Sequence, residues 1–204
     1  MERQIEALES RLFLSAAQVA GELLGLKSEA AAVKTQFTAL AKRGTADIKL
    51  VTADLKRLKV ATSDTALLKT LQAETKSGIG SLTKQTAALI SSGTREAIPI
   101  LSLLKKLSKA PGNPTVEAKL STEATGLVAN ITTRVDGIFS SADTFATTAF
   151  GELNALAAAN ASDAKTQTDV STLESDFSNG ATSAEDSLNT LLAGANTFLT
   201  DAGA

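Results

Sequence analysis

The chain has 204 residues, 43% of them hydrophobic, and a formal net charge of −2. This length is enough for one domain with a proper hydrophobic core. The sequence has no His and no Cys, so it lacks the commonest general base, the commonest transition-metal ligand and any disulfide. Ser-His and Cys-His nucleophiles, di-iron bundles with Glu-x-x-His pairs and thiolate metal sites are therefore excluded. We expect no catalytic residue, no cofactor and no metal site.

The first predicted element is a long helix. Aromatic residues make up only 3% of the chain, and a core of Leu, Val, Ile and Ala suits packed helices better than a sheet. Apolar residues recur at alternating spacings of three and four, which predicts a coiled-coil-like seam on one face of a helix. This seam comprises Ala16, Val19, Leu23, Leu26, Ala30, Val33, Phe37 and Leu40. Gly44 follows two basic residues, which predicts that the first helix ends there.

A second apolar pattern starts at Ile48 and is predicted to end at residues 91–93 (Ser-Ser-Gly). Within it, the polar stretch of residues 62–64 (Thr-Ser-Asp) fits either a kink or a helix cap. Residues 97–109 are then predicted to form a short separate helix with Pro99 in its first turn. Residues 111–114 (Pro-Gly-Asn-Pro) are the clearest loop in the sequence.

Two more long helices are predicted after this loop. The first starts after Thr115, and its apolar positions from Val116 to Leu156 recur every 3.6 residues on average, which is the α-helical period. Residues 160–163 (Asn-Ala-Ser-Asp) predict a turn and a helix cap. The last helix has apolar positions from Val170 to Phe198, and Asn179-Gly180 predicts an interruption within it. Short connections favour antiparallel neighbours. The predicted fold class is all-α: an elongated antiparallel four-helix bundle of long helices, with residues 97–109 as one short extra helix.

Charge is distributed unequally along the chain. Residues 1–110 contain 17 Lys/Arg and 10 Asp/Glu, whereas residues 111–204 contain 3 Lys/Arg and 12 Asp/Glu. A basic half up to residue 110 and an acidic half from residue 115 attract each other, within one molecule or between molecules. The basic clusters of residues 56–59 and 105–109 lack interleaved aromatic residues, so we expect no nucleic-acid partner. No stretch approaches 18 consecutive apolar residues, so we expect no transmembrane segment.

Residues 8–16 read Leu8-Glu9-Ser10-Arg11-Leu12-Phe13-Leu14-Ser15-Ala16. This stretch resembles the short Leu-Glu-(Pro/Ser)-Arg-x-Leu-Leu-Ser-Ala motif near the start of many exported or surface proteins of planctomycete bacteria. The matching positions are Leu8, Glu9, Ser10, Arg11, Leu14, Ser15 and Ala16, and Phe13 stands where Leu is usual. The resemblance implies an extracytoplasmic protein, whether secreted, periplasmic or on the cell surface; without it the protein is expected to be cytoplasmic.

The same residues also fit the first turns of the first helix, because the apolar seam continues through Ala16. Both interpretations are compatible if residues 1–16 form a sorting motif continuous with that helix. Residues 17–204 are then expected to form a single helical-bundle domain.

Two functions stay open at the level of the sequence. The first is an exported structural or interaction bundle, without catalysis, that binds a protein partner or itself; it is favoured by the long seam and the unequal charge. The second is a carrier of an apolar ligand, such as a lipid or fatty acid, because small Ala, Ser and Thr residues at seam positions can leave a gap between helices.

Overall fold

The structure, a computed structural model, describes residues 16–58 and 62–202. This part of the chain contains four helices and no strand, which confirms the predicted all-α class. The helices are α1 (Ala16–Leu58), α2 (Thr62–Leu107), α3 (Pro114–Ala159) and α4 (Ala164–Asp201). They contain between 38 and 46 residues.

The N-terminal motif can be located only at its last residue, because Leu8, Glu9, Ser10, Arg11, Leu14 and Ser15 lie outside the described residues. Ala16 is the first residue of α1. Three predicted apolar positions of α1, Val19, Leu23 and Leu26, are buried. The other predicted seam positions have side chains outside the described part; they are Ala16, Ala30, Val33, Phe37 and Leu40.

The predicted end of the first helix at Gly44 is wrong. Helix α1 continues through Gly44 to Leu58, and the break between the first two helices lies just before Thr62. A glycine in a helix interior costs about 1 kcal/mol relative to Ala. Continuing the helix buries Ile48 and Val51, and each such side chain contributes roughly 1.5–3 kcal/mol when fully buried. The apolar stripe therefore outweighs the local helix breaker.

The predicted helix end at residues 91–93 and the separate helix of residues 97–109 are also wrong. Helix α2 runs from Thr62 to Leu107 with Pro99 in its interior. The Ser92 and Thr94 hydroxyls donate to helix carbonyls, so they need no other partner. Beyond Pro99 the stripe continues with buried Ile100, Leu103 and Leu104, which favour one continuous helix.

The two predicted loops are confirmed, and side chains cap the helix that follows each of them. Gly112 has φ of 76°, a left-handed conformation that favours glycine. Asn113 accepts hydrogen bonds from the backbone N–H groups of Thr115 (3.1 Å) and Val116 (3.3 Å). Helix α3 consequently begins at Pro114, earlier than predicted, because Pro is well suited to the first helical position. Asp163 caps α4 in the same way.

The predicted seams of α3 and α4 lie in the core. From Leu120 to Leu156 the predicted α3 positions are buried, apart from half-buried Ala142 and Phe145. Every predicted position of α4 from Val170 to Phe198 is buried. Asn179-Gly180 does not interrupt α4, which is continuous from Ala164 to Asp201.

The chain divides into two compact units. Unit 1 comprises the described residues within Met1–Ala32, Ala88–Asp136 and Ser187–Ala204, and unit 2 comprises Val33–Ala87 and Gly137–Asp186. Each unit takes residues from both the basic and the acidic half.

Within unit 2, side-chain contacts link the helix segments α1 to α2, α2 to α3, α3 to α4 and α4 to α1. Gln72 of α2 donates to Thr52 of α1 (3.2 Å), and Gln85 of α2 donates to Ser141 of α3 (2.8 Å). The rings of Phe145 in α3 and Phe177 in α4 have centroids 5.7 Å apart, and Lys165 of α4 pairs with Asp54 of α1 (2.7 Å). In unit 1, the Asn130 amide of α3 donates to Glu96 of α2.

Candidate functional site

An apolar groove in unit 1 is the best candidate for a functional site. Its walls come from α1 and α2, and its floor comes from Leu127 and Ile131 of α3 and Leu191 of α4. The groove has a volume of about 210 Å³. Apolar cavities of about 150 Å³ already accommodate a benzene ring, so this groove is large enough for a ligand group.

The rim of the groove is apolar and faces solvent. Leu24, Ile98 and Leu101 are 69%, 63% and 46% exposed, and all three line the groove. Among the described residues, the fourth large exposed hydrophobic side chain is Leu50, which lies in unit 2. Isolated exposed apolar side chains are common in soluble proteins, whereas a cluster around a concave surface is typical of a binding site. The groove therefore combines buried apolar walls with an exposed apolar rim.

Small residues of both helices border the gap between α1 and α2. Gly93, Thr94 and Ala97 of α2 and Ala20 of α1 line the groove. A Cβ atom added at Gly93 would meet no heavy atom within 4 Å. The backbone of α2 at Gly93 thus borders open space, which a larger side chain would fill.

The groove presents little polarity. Lys27 is the only charged residue among the described residues that line it, and its side chain is exposed. The Thr94 hydroxyl donates to the Ile90 carbonyl (2.8 Å), so its proton is already used within α2. A ligand in the groove would consequently meet apolar side chains and one ammonium group.

A cluster of charged residues lies in unit 2, where α1 meets α4. Lys165 contacts Asp54 at 2.7 Å and Asp169 at 3.4 Å, and Arg57 contacts Asp163 at 3.1 Å. The Arg57–Asp163 pair follows the predicted attraction of a basic first half for an acidic second half. The Lys165–Asp54 pair has the opposite polarity, so the regional charge balance does not determine the individual pairs.

Hydrogen bonding sets the ionisation of this cluster. Hydrogen bonds with Asp169 and Lys165 lower the pKa of Asp54, which is only 4% exposed. The hydrogen bond to Asp54 and burial raise the pKa of Asp169. Hydrogen bonding from Thr166, whose backbone N–H donates to Asp163 at 2.9 Å, lowers the pKa of Asp163. Asp54 is therefore held as the carboxylate, and Asp169 is the carboxyl group that retains its proton to higher pH.

The substitution Asp169→Asn is expected to raise the melting temperature at pH 7, with the gain disappearing near pH 3. A raised folded-state pKa means that the Asp169 contribution to stability is present below its unfolded pKa of about 3.9 and is lost as the pH rises through the folded pKa. Asn stays neutral and keeps a donor for Asp54. Thermal unfolding of both chains between pH 3 and pH 8 measures this difference, and a lower melting temperature of the variant at pH 7 would contradict it.

The described part of the chain contains no group of three or more His, Cys, Asp or Glu residues able to hold a metal ion. None of the described helices is both long and apolar enough to cross a membrane.

The rim residues Leu24, Ile98 and Leu101 were not singled out in the sequence, although a signal for two of them exists. Leu24 and Leu101 each directly follow a seam residue, Leu23 and Ile100, and therefore lie beside the buried stripe. Apolar residues next to a seam widen the apolar face beyond what the core covers. That signal identifies the rim, but not the gap beneath it.

Comparison with known proteins adds no assignment to this site, because no family model, no curated protein and no solved structure matches the chain.

Proposed function

We propose that this protein is a helical binding module without catalysis, and that it carries an apolar ligand in the groove of unit 1. The observation that supports this most directly is the ring of exposed Leu24, Ile98 and Leu101 around a gap of about 210 Å³. Keeping apolar surface exposed costs roughly 25 cal/mol per Å², and ligand binding recovers that free energy. The absence of His and Cys from the sequence supports a role without chemistry.

The architecture proposed for this module is an antiparallel four-helix bundle. The loops at residues 111–114 and 160–163 support antiparallel neighbours, because long helices joined by only a few residues pack side by side in opposite directions. The contacts in unit 2 that link successive helices, and the last helix to the first, support a closed bundle there.

The double variant Leu24→Ser/Ile98→Ser is expected to bind an uncharged apolar dye, N-phenyl-1-naphthylamine, about thirtyfold more weakly than the wild-type chain. Each apolar side chain that a ligand buries contributes on the order of 1 kcal/mol, and about 1.4 kcal/mol corresponds to a tenfold change in affinity. Fluorescence titration measures the affinity. Leu50→Ser is the matched control, because Leu50 is 51% exposed but does not line the groove. Equal affinities of the double variant and the control would rule out the groove as the binding site.

A second candidate function is contact with a protein partner or with a second copy of the chain. The same rim favours this function. Leu24 and Ile98 are more than 60% exposed, so they extend beyond the groove and can contact a larger apolar surface. Size-exclusion chromatography with light scattering across a salt series tests self-association. A monomer at every salt concentration would exclude it.

Export is proposed on the resemblance of residues 8–16 to a sorting motif. Determining the N-terminal sequence of the native protein and the cell fraction that contains it tests this proposal. An intact N-terminus in the cytoplasmic fraction would contradict export.

A further inference from the structure

We propose that the groove binds a single-chain amphiphile with a carboxylate head group, a free fatty acid, whose chain lies in the groove while its carboxylate pairs with Lys27. This rests on the groove being an apolar-ligand site, as proposed above, and it adds the ligand class and the residue that selects it. The placement of Lys27 among apolar lining residues of α1 is the observation that carries it.

Charge complementarity favours an anionic head group. Lys27 is exposed, and no ion pair joins it to another described residue. A Lys ammonium is a compact charge on a flexible stem, which suits one carboxylate, whereas planar bidentate recognition is typical of Arg. Since no other charged residue lines the groove in the described part, a head group with several charges would lack partners.

The size of the groove favours one chain. A volume of about 210 Å³ exceeds the roughly 150 Å³ that holds a benzene ring, but it is below the range of about 300–1,000 Å³ that is usual for drug-sized ligands. A lipid with two acyl chains would leave most of its apolar surface in water. The floor residues Leu127, Ile131 and Leu191 offer only apolar contacts, which match the methylene groups of a single chain.

Titration calorimetry of the full chain with decanoate and with decanol tests the role of Lys27. Decanoate is expected to bind one molecule per chain. Lys27→Met is expected to weaken decanoate binding about three- to fivefold, the range for an exposed ion pair of up to about 1 kcal/mol, and to leave decanol unchanged. Lys27→Arg is expected to retain decanoate affinity. Lys84→Met is the matched control, because Lys84 is exposed on α2 and does not line the groove.

Filling the groove tests where the chain of the ligand lies. Gly93→Leu is expected to weaken both ligands at least tenfold without lowering the melting temperature, because the side chain enters open space and Leu is a better helix former than Gly. Gly93→Ala adds only a Cβ atom and is expected to retain binding. Gly137→Leu is the control for replacing a helical Gly by Leu, because Gly137 is exposed on α3 with open space around it and does not line the groove.

The outcomes separate this inference from the proposed function. Equal loss of decanoate and decanol affinity in Lys27→Met, or no loss of either, would overturn the carboxylate pairing and leave an apolar-ligand site in place. Binding of neither ligand by the wild-type chain would overturn both proposals. Binding to phosphatidylglycerol vesicles without binding of free decanoate, or one decanoate per two chains, would overturn a free fatty acid held by a single chain.

Discussion

Replacing Pro99 by Ala is expected to raise the free energy of unfolding by up to about 3 kcal/mol. Pro in a helix interior is about that much less favourable than Ala, because it has no N–H to donate and its ring crowds the preceding turn. Pro99 lies inside α2, so the Arg95 carbonyl lacks the donor that an Ala at position 99 would supply. Pro99 is exposed, so the substitution removes no buried contact.

Urea unfolding followed by circular dichroism measures this gain as a higher midpoint with an unchanged m-value. Arg95→Ala is a suitable control, because it changes an exposed side chain on the same turn and leaves the Pro99 backbone as it is. Surface substitutions of that kind usually stay within about 0.5 kcal/mol. Unchanged or lower stability of Pro99→Ala would mean that the packing of α2 depends on the helix geometry that Pro imposes.

Pro99 also shows why the helix boundaries were harder to predict than the helices themselves. Gly44, Gly93 and Pro99 are local signals for a helix boundary, and each costs between about 1 and 3 kcal/mol in a helix interior. Whether the helix continues depends on how much apolar surface is buried by the residues that follow the Gly or Pro. That surface depends on the helices packed against it. Ile100, which follows Pro99 directly, is fully buried in unit 1.

The loops were predictable because their signals agree with one another. At residues 111–114, two prolines, a glycine and an asparagine all disfavour helix interior or favour a cap, and no apolar stripe crosses them. Asp163 likewise lies in a predicted turn, and its carboxylate caps α4. At residues 91–93, by contrast, the apolar pattern continues on both sides through Leu89 and Ile100, and it determines the structure.

The candidate site was predictable only as a general property. Small residues between helices indicate that a gap is feasible, but the sequence does not specify where two helices leave one. The exposure of Leu24 and Ile98 depends on which neighbouring side chains fail to cover them. The role proposed for Lys27 depends on its position beside that gap, and one exposed lysine resembles any other in the sequence.

Replacing Gly78 by Ala is expected to lower the free energy of unfolding by up to about 2 kcal/mol, although the same change in an open helix position stabilises a protein. An added Cβ would lie 2.7 Å from Cγ and 2.9 Å from Cε2 of Phe145, and closer still to Cδ2. The ring of Phe145 packs edge-to-face on buried Phe177, with an interplanar angle of 67°. Overpacking of this kind costs about 1–3 kcal/mol, which exceeds the gain of about 1 kcal/mol in helix propensity.

Gly80→Ala is the matched control for Gly78→Ala, because Gly80 lies two residues further along the same helix and its Cβ would meet nothing within 4 Å. We expect it to raise the free energy of unfolding by up to about 1 kcal/mol, so that the two substitutions differ in sign. Combining Gly78→Ala with Phe145→Leu is expected to recover part of the loss, since a smaller side chain can move away from the new methyl group. Equal effects of Gly78→Ala and Gly80→Ala would show that the Phe145 ring adjusts at no cost, and that its contact with Phe177 contributes little to unit 2.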